Sequence, residues 1–226
     1  MGPLLKALNM IFSINREVYS IAFLSVFISL SSTVIASIMA VISGIFISKL
    51  SDRYKTVITA VLSTLTALPT VIIGLFVYSL ITRNGPFGQT GLLFTPYAII
   101  IGQILLAFPI ITTGIVAGIS RIKPDFFDTL KTFGVNGINS TIITLSEIKP
   151  ILLSVFLSGF GRTIGEVGVS MILGGNIRHH TRTITTAIAL ESSKGELVTA
   201  LALGIILVTI SLIINFLCHY LGRYNK

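Results

Sequence analysis

The chain has 226 residues, 53% of them hydrophobic and only 11% charged, with a mean hydropathy of +0.94. A soluble domain of this length needs more polar surface than that composition supplies, and several apolar stretches exceed the roughly 20 residues that cross a bilayer. The chain therefore reads as all-α and integral to a membrane, crossing it several times. The formal charge of +8 does not mark a nucleic-acid binder, because no basic stripe interleaves with aromatics. Cys218 is the single cysteine, which excludes an internal disulfide and a cysteine-based metal cluster.

In chain order, PLLKALNMIF comes first, with Leu4, Leu8 and Ile11 on one helical face. It is either a short helix lying in the membrane interface or an extension of the first span. Five spans are predicted, over about 20–48, 55–82, 92–118, 151–175 and 197–221, within one transmembrane domain covering 1–226. The first apolar run, from about Tyr19, is too long for the core of a signal peptide. Small residues at Ser25, Ser29, Ser32, Ala36 and Ala40 suit a tight helix–helix contact.

Spans two and three share an echo, ALPTVIIGL and AFPIITTGI. Pro69 and Pro109 each remove the donor for the carbonyl four residues earlier, so each is expected to kink its helix. Because the two spans run antiparallel, the echo suggests a symmetric gate near the midplane. The other explanation is that the prolines only shape packing.

Span four carries Arg162 and Glu166, about 17 and 23 Å beyond Ile151 at about 1.5 Å per residue. Each such charge costs roughly 2.5–3.5 kcal/mol near the centre of a membrane helix, and the i, i+4 spacing allows the two to pair. Ser154, Ser158 and Ser170 extend the same every-fourth-residue stripe, and Gly161 and Gly165 are spaced for close packing. The stripe is either glue between helices of one subunit or the lining of a translocation path.

Arg83, beside NGPFG, and Arg178 and Arg182, flanking His179 and His180, lie in outer loops. They are placed to attract an anion or to meet an acidic rim on an extracellular protein. Two adjacent histidines are not a metal site without further ligands, and none is predicted. Lys and Arg set the orientation. With 119–150 inside, nine basic residues face inward (Lys49, Arg53, Lys55, Arg121, Lys123, Lys131, Lys149, Arg223 and Lys226), against six outside. Five spans then place the N-terminus outside and the C-terminus inside.

The inner segment holds two amphipathic helices. Pro124 and Asp125 suit a helix start, and Asp128 adds a second acid to its first turn. Phe126, Leu130 and Phe133 make an apolar face, and Gly134 stands where a helix C-cap takes a left-handed residue. A second helix begins near Ile138 and is limited by Pro150. The pair either lies flat on lipid headgroups or projects to fit a partner's groove.

DTLKTFG, followed by Ile143 and Leu145, resembles the cytoplasmic loop signature of the permeases of ABC importers. That signature begins Glu-Ala-Ala, has a glycine shortly after, and closes Ile-x-Leu-Pro. Asp128 stands for the glutamate and Gly134 for the glycine, while Thr129 and Leu130 replace the alanines and Ser146 the closing proline. The blocks at 67–96 and 161–196 resemble permeases of the tungstate-type oxyanion importers, near relatives of the molybdate type. The resemblance implies a type I importer fold in a prokaryotic cell membrane. It also implies a homodimer with ABC ATPase subunits that use ATP and Mg, and an extracellular oxyanion-binding protein. Phe126, Asp128, Leu130, Phe133 and Gly134 would form the coupling contact. Arg162, Glu166, Pro69 and Pro109 would form the path or gate. No phosphate-cradling G-x-x-x-x-G-K-[ST] occurs, and no catalytic constellation stands in the spans, so the chain is expected to be a transport subunit with no catalytic residues and no cofactor of its own. Molybdate, sulfate or phosphate are the alternative substrates, and a secondary transporter is the alternative class.

Overall fold

The computed structural model of the protein describes residues 2–223; Lys226, counted above for the inner side, lies outside them. Among the described residues the regular elements are all helical. Helix α1 (Pro3–Phe12) has Pro at its first turn and is followed, after an elbow, by α2 (Arg16–Ser48). Asn15 caps α2 by accepting from the backbone N–H groups of Glu17 and Val18. The elbow holds Ile14 at φ 51, so α1 is a helix of its own and not an extension of the first span. It buries Ala7 and packs toward the last helix, α11 (Leu197–Arg223).

Helices α2 and α5 (Pro96–Ile119) form the centre. Apolar side chains gain little by leaving lipid for protein, so helices in a membrane associate through close packing and interhelical hydrogen bonds. The small residues of α2 do this here: Ser25, Ser29, Ser32, Ala36 and Ala40 are all buried. At Gly44 an added Cβ would lie 2.8 Å from Ile115 Cγ2 on α5. On its other side α5 receives α8 (Lys149–Ile164) and α9 (Gly168–Gly174), where a Cβ on Gly102 would meet Val169 Cγ1 at 2.5 Å.

The predicted second span is two helices, α3 (Asp52–Ala67) and α4 (Thr70–Ile81), set at 97°. Pro69 lacks an N–H, and Leu68 before it takes the extended conformation (ψ 138) that a following proline favours. The result is a break, not a kink. Pro109, in contrast, sits inside one continuous α5 and is buried there, so the two prolines do not build matching halves of a symmetric gate.

The predicted fourth span is also interrupted. Helix α8 ends at Ile164, and α9 starts at Gly168. Ser154, Ser158, Arg162, Glu166 and Ser170 therefore do not form one continuous helical stripe. Gly161 has no atom within 4 Å of an added Cβ, and Gly165 only the Gly161 carbonyl at 3.5 Å, so neither makes the close helix contact expected within this chain. Gly159 makes it instead, against Ile111. Beyond α9, the segment between the predicted fourth and fifth spans, which carries Arg178 and Arg182, also contains α10 (Ile184–Ser193), whose Ile184 and Ala187 are buried against Val18, Ile21 and Leu203.

Three helices, α2, α5 and α11, are individually long and apolar enough to cross a membrane. The count reaches five if each of two bent pairs is one span: α3 with α4, and α7 (Gly137–Glu147) with α8 at 72°. Close packing around Gly102 sets a measurable expectation. Gly102→Leu overpacks the α5–α9 contact and lowers stability by about 1–3 kcal/mol, seen as a lower thermal unfolding midpoint in detergent. Gly204→Ala, with open space around it, leaves that midpoint in place.

Candidate functional site

Two regions gather the residues singled out by sequence. The first is the α8–α9 break. Interrupting a helix inside a membrane frees backbone groups that no water can satisfy; here the Glu166 N–H bonds the Thr163 carbonyl at 3.2 Å, and side chains of neighbouring helices add further donors. The carbonyl of Thr163 accepts from Gln103 Nε2 at 3.1 Å, and Gln103 Oε1 accepts from Ser32 at 3.1 Å. Thr163 Oγ1 pairs with Thr33 Oγ1 at 3.2 Å. The carbonyl of Glu166 accepts from Thr185 Oγ1 at 2.7 Å. One polar seam thus ties α2, α5, α8 and α10 together.

Glu166 is the charged centre of that seam and is only 3% exposed. Its Oε2 receives Arg162 Nη1 at 2.8 Å, and its Oε1 accepts the backbone N–H of Val169 at 3.1 Å. The carboxylate therefore neutralises an arginine and caps the start of α9 at once. Arg162 is 32% exposed and keeps one side open. The α3–α4 break meets this place: a Cβ on Gly168 would lie 2.8 Å from Thr70 Oγ1 and 3.3 Å from Glu166 Oε1. Pro69 is thereby brought beside the charged pair through its neighbour Thr70. Pro109 belongs to the continuous α5 and is buried there, away from this corner in sequence and in helix.

The second region is the projecting loop, α6 (Pro124–Thr132) followed by α7. Gly134 has φ +68, its N–H bonds to the Lys131 carbonyl, and the N–H of Val135 bonds to the Leu130 carbonyl at 2.9 Å. That is a Schellman turn, with Val135 and Leu130 as its apolar pair. The expected apolar face divides. Leu130 is buried and Phe127 packs on the core, but Phe133 is 78% exposed. Phe133 is the C-cap residue, where the chain turns away at Gly134, and its ring is left uncovered. Ile138 and Ile142 are exposed beside it. Asp128 faces solvent and bonds Lys131 at 3.1 Å, a pair that contributes little.

The outer arginines are not equally available. Arg178 makes a two-pronged contact to Glu17, at 2.8 and 2.6 Å, and Arg182 stands 3.9 Å from the same carboxylate. The Glu17 hydrogen bond, and then its charge, raise the Arg178 pKa above its ordinary value. These arginines hold the start of α2 to the turn before α10, while Arg83 lies exposed in the turn after α4. The sequence reading missed Glu17, Gln103, Thr163 and Thr185. Gln103 carried a signal, as the one amide in the apolar run PYAIIIGQILLAFPIITTGIVAGI.

This arrangement of interrupted helices, a buried charged pair and a projecting two-helix loop is that of a membrane transport component. The chain belongs to the family of binding-protein-dependent transport system inner membrane components, which matches residues 32–224. It is 39% identical over 216 residues to the tungstate uptake system permease protein of Peptoclostridium acidaminophilum, covering 95% of this chain and 94% of that one. The counterpart in Campylobacter jejuni is 40% identical over 171 residues, covering 76% and 72%. The fold is shared with a bacterial ABC transporter involved in the import of the acidic polysaccharide alginate, at a TM-score of 0.71 and 19% identity, over 91% of this chain and 79% of that one.

The break gives a stability prediction. Glu166→Ala strands a positive charge and uncaps Val169, at a cost of about 3 kcal/mol, the low end for a broken buried pair because Arg162 is partly exposed. Arg162→Ala with Glu166→Gln together cost less than Glu166→Ala alone. Thermal unfolding of the three variants in detergent measures the difference.

Proposed function

We propose that the chain is the permease subunit of an ABC importer for a tetrahedral oxyanion, tungstate first among them. The observation that carries the substrate is the 39% identity, spread over 95% of the chain, to a tungstate uptake permease. Molybdate, sulfate and phosphate are the competing substrates. Two copies of the chain would form the path, with two ATPase subunits inside and an oxyanion-binding protein outside. ATP and Mg would act in the ATPase and not in this chain.

The α6–α7 loop supports the coupling role. Its Schellman turn fixes the angle between two short helices, its inner face is anchored by Phe127 and Leu130, and Phe133, Ile138 and Ile142 stay uncovered. A rigid, anchored projection with an apolar tip transmits force in a way that a loose loop cannot. Closure of the ATPase pair on ATP would draw two such loops together and turn the helices above them. That orientation puts the loop and C-terminus in the cytoplasm and the N-terminus outside.

A second copy is supported by α8, whose Ser154, Ser158, Gly161 and Gly165 are all exposed in the single chain. Small and hydroxyl-bearing residues left open within a membrane suit a facing helix or a path, not lipid. At the path, Arg162 offers an anion a positive charge, and its pairing with Glu166 keeps the anion from being trapped. A gradient-driven secondary transporter is less well supported, since it leaves the anchored projection without a role.

ATP-dependent uptake of tungstate into vesicles holding the assembled complex tests the reading, with molybdate, sulfate and phosphate as competitors. Uptake is expected to require ATP and to resist excess sulfate and phosphate. Arg162→Ala is expected to cut that uptake while the complex still assembles. Gly134→Pro, which removes the N–H bonded to Lys131 and excludes the positive φ, is expected to abolish coupling. Uptake without ATP would contradict the proposal.

A further inference from the structure

Away from the α8–α9 break, a groove of about 410 Å3 runs between α3 and α5. Its polar lining is Lys55, Thr56, Thr59 and Ser63 from α3, with Thr113 and Ser120 from α5. The remaining wall, Val116 and Ala117, is small and apolar. Helix α3 otherwise buries only Leu62. Ionisable side chains in a membrane span face a bundle interior or a water-filled cavity, and a face carrying five hydroxyls and an ammonium on one helix pair suits such a cavity.

The chemistry of the lining suits an anion. Thr56, Thr59 and Thr113 each donate to the carbonyl four residues earlier at 2.8 Å, and Ser120 does so at 2.9 Å. Each of those carbonyls also receives its own helix N–H. The hydroxyl can therefore turn to donate to a passing ligand without leaving a backbone group unpaired. Lys55 is half-buried against α5 and makes no ion pair among the described residues, although Asp52 stands one turn away. A row of hydroxyl donors with one ammonium at its mouth can replace the hydration shell of a tetrahedral oxyanion and offset its charge.

Placement carries the argument further. From Thr113 to Ser120 the groove follows α5 for about 10 Å, at about 1.5 Å per residue, to the end that leads into the projecting loop. In the other direction α3 runs to the Leu68–Pro69 break, and just past it Thr70 touches the Gly168–Glu166 corner. The groove thus lies at the loop end of the bundle, and the helix that forms one of its walls continues from it to the corner beside the charged break. We infer that it is the inner part of the oxyanion's route, with Lys55 as the charge that positions the anion. This rests on the import reading above.

Thiol labelling in the assembled complex, in inside-out vesicles, tests the inference. Native Cys218 is replaced by serine, and Thr59→Cys or, as a second variant, Thr56→Cys is exposed to anionic sulfonatoethyl and cationic trimethylammonioethyl methanethiosulfonates. Both reagents are expected to react, and Lys55→Gln is expected to slow the anionic one about fivefold, the effect of one unit charge a few ångströms away in water, while leaving the cationic one no slower. Tungstate is expected to slow the anionic reaction. Failure of both cysteines to react with either water-borne reagent would overturn the inference alone, because it would place the groove in lipid. An anionic rate unaffected by Lys55→Gln would also overturn it. Absence of ATP-driven oxyanion uptake by the unmodified complex would instead bring down the import reading.

Discussion

A carboxylate buried where a membrane helix is interrupted is the constraint around which this molecule is arranged. Glu166 is 3% exposed, and leaving it there unpartnered would cost more than the fold can absorb. Arg162 neutralises it and the Val169 N–H binds it. Gln103 and Thr185, from two other helices, donate to the Thr163 and Glu166 carbonyls at the interruption. Each of these partners comes from a different segment, so the break cannot form until α5, α8, α9 and α10 are in place. Its polar groups therefore select one arrangement of helices that apolar packing alone would leave loosely specified.

The same interruption leaves something to move. A continuous helix transmits a displacement along its whole length, whereas two helices joined at a hydrogen-bonded corner can turn relative to each other. The α3–α4 corner at Pro69 meets the α8–α9 corner through Thr70 and Gly168. The two corners thus meet beside the charged pair, with the anchored α6–α7 loop joined to the other end of α8. In the proposed coupling, force applied to the loop would reach the α8–α9 corner through α8, which follows α7 directly at Ile148.

Much of this was legible in the sequence where a residue has one chemical use. Gly134 in a chain that needs a left-handed residue specified the loop's turn, and DTLKTFG carried the family resemblance. The small residues of α2 marked its tight contacts, Ser32, Ala36 and Ala40 with α5 and Ser25 with α10. Legibility failed where the outcome depends on neighbours. Pro69 and Pro109 look alike in sequence, yet the exposed one stands between two helices and the buried one lies within a continuous helix. An apolar run through Arg162 and Glu166 reads as one span, because nothing local reveals that Gln103 and Thr185 will satisfy a break there. Arg178 and Arg182 looked free to attract an anion because their partner, Glu17, lies at the other end of the chain.

Coupling to a partner ATPase through the α6–α7 projection is the central claim, and Phe133 at its exposed tip is the residue to ask. With Cys218 replaced by serine, Phe133→Cys in the assembled complex is treated with a short bifunctional thiol cross-linker, with and without ATP. The account predicts a covalent adduct between this chain and a cysteine placed in the ATPase groove, with a yield that changes when ATP binds. Reaction of the same cysteine with a bilayer-confined probe, with no ATPase adduct under either condition, would show that the two helices lie on lipid and would contradict the account.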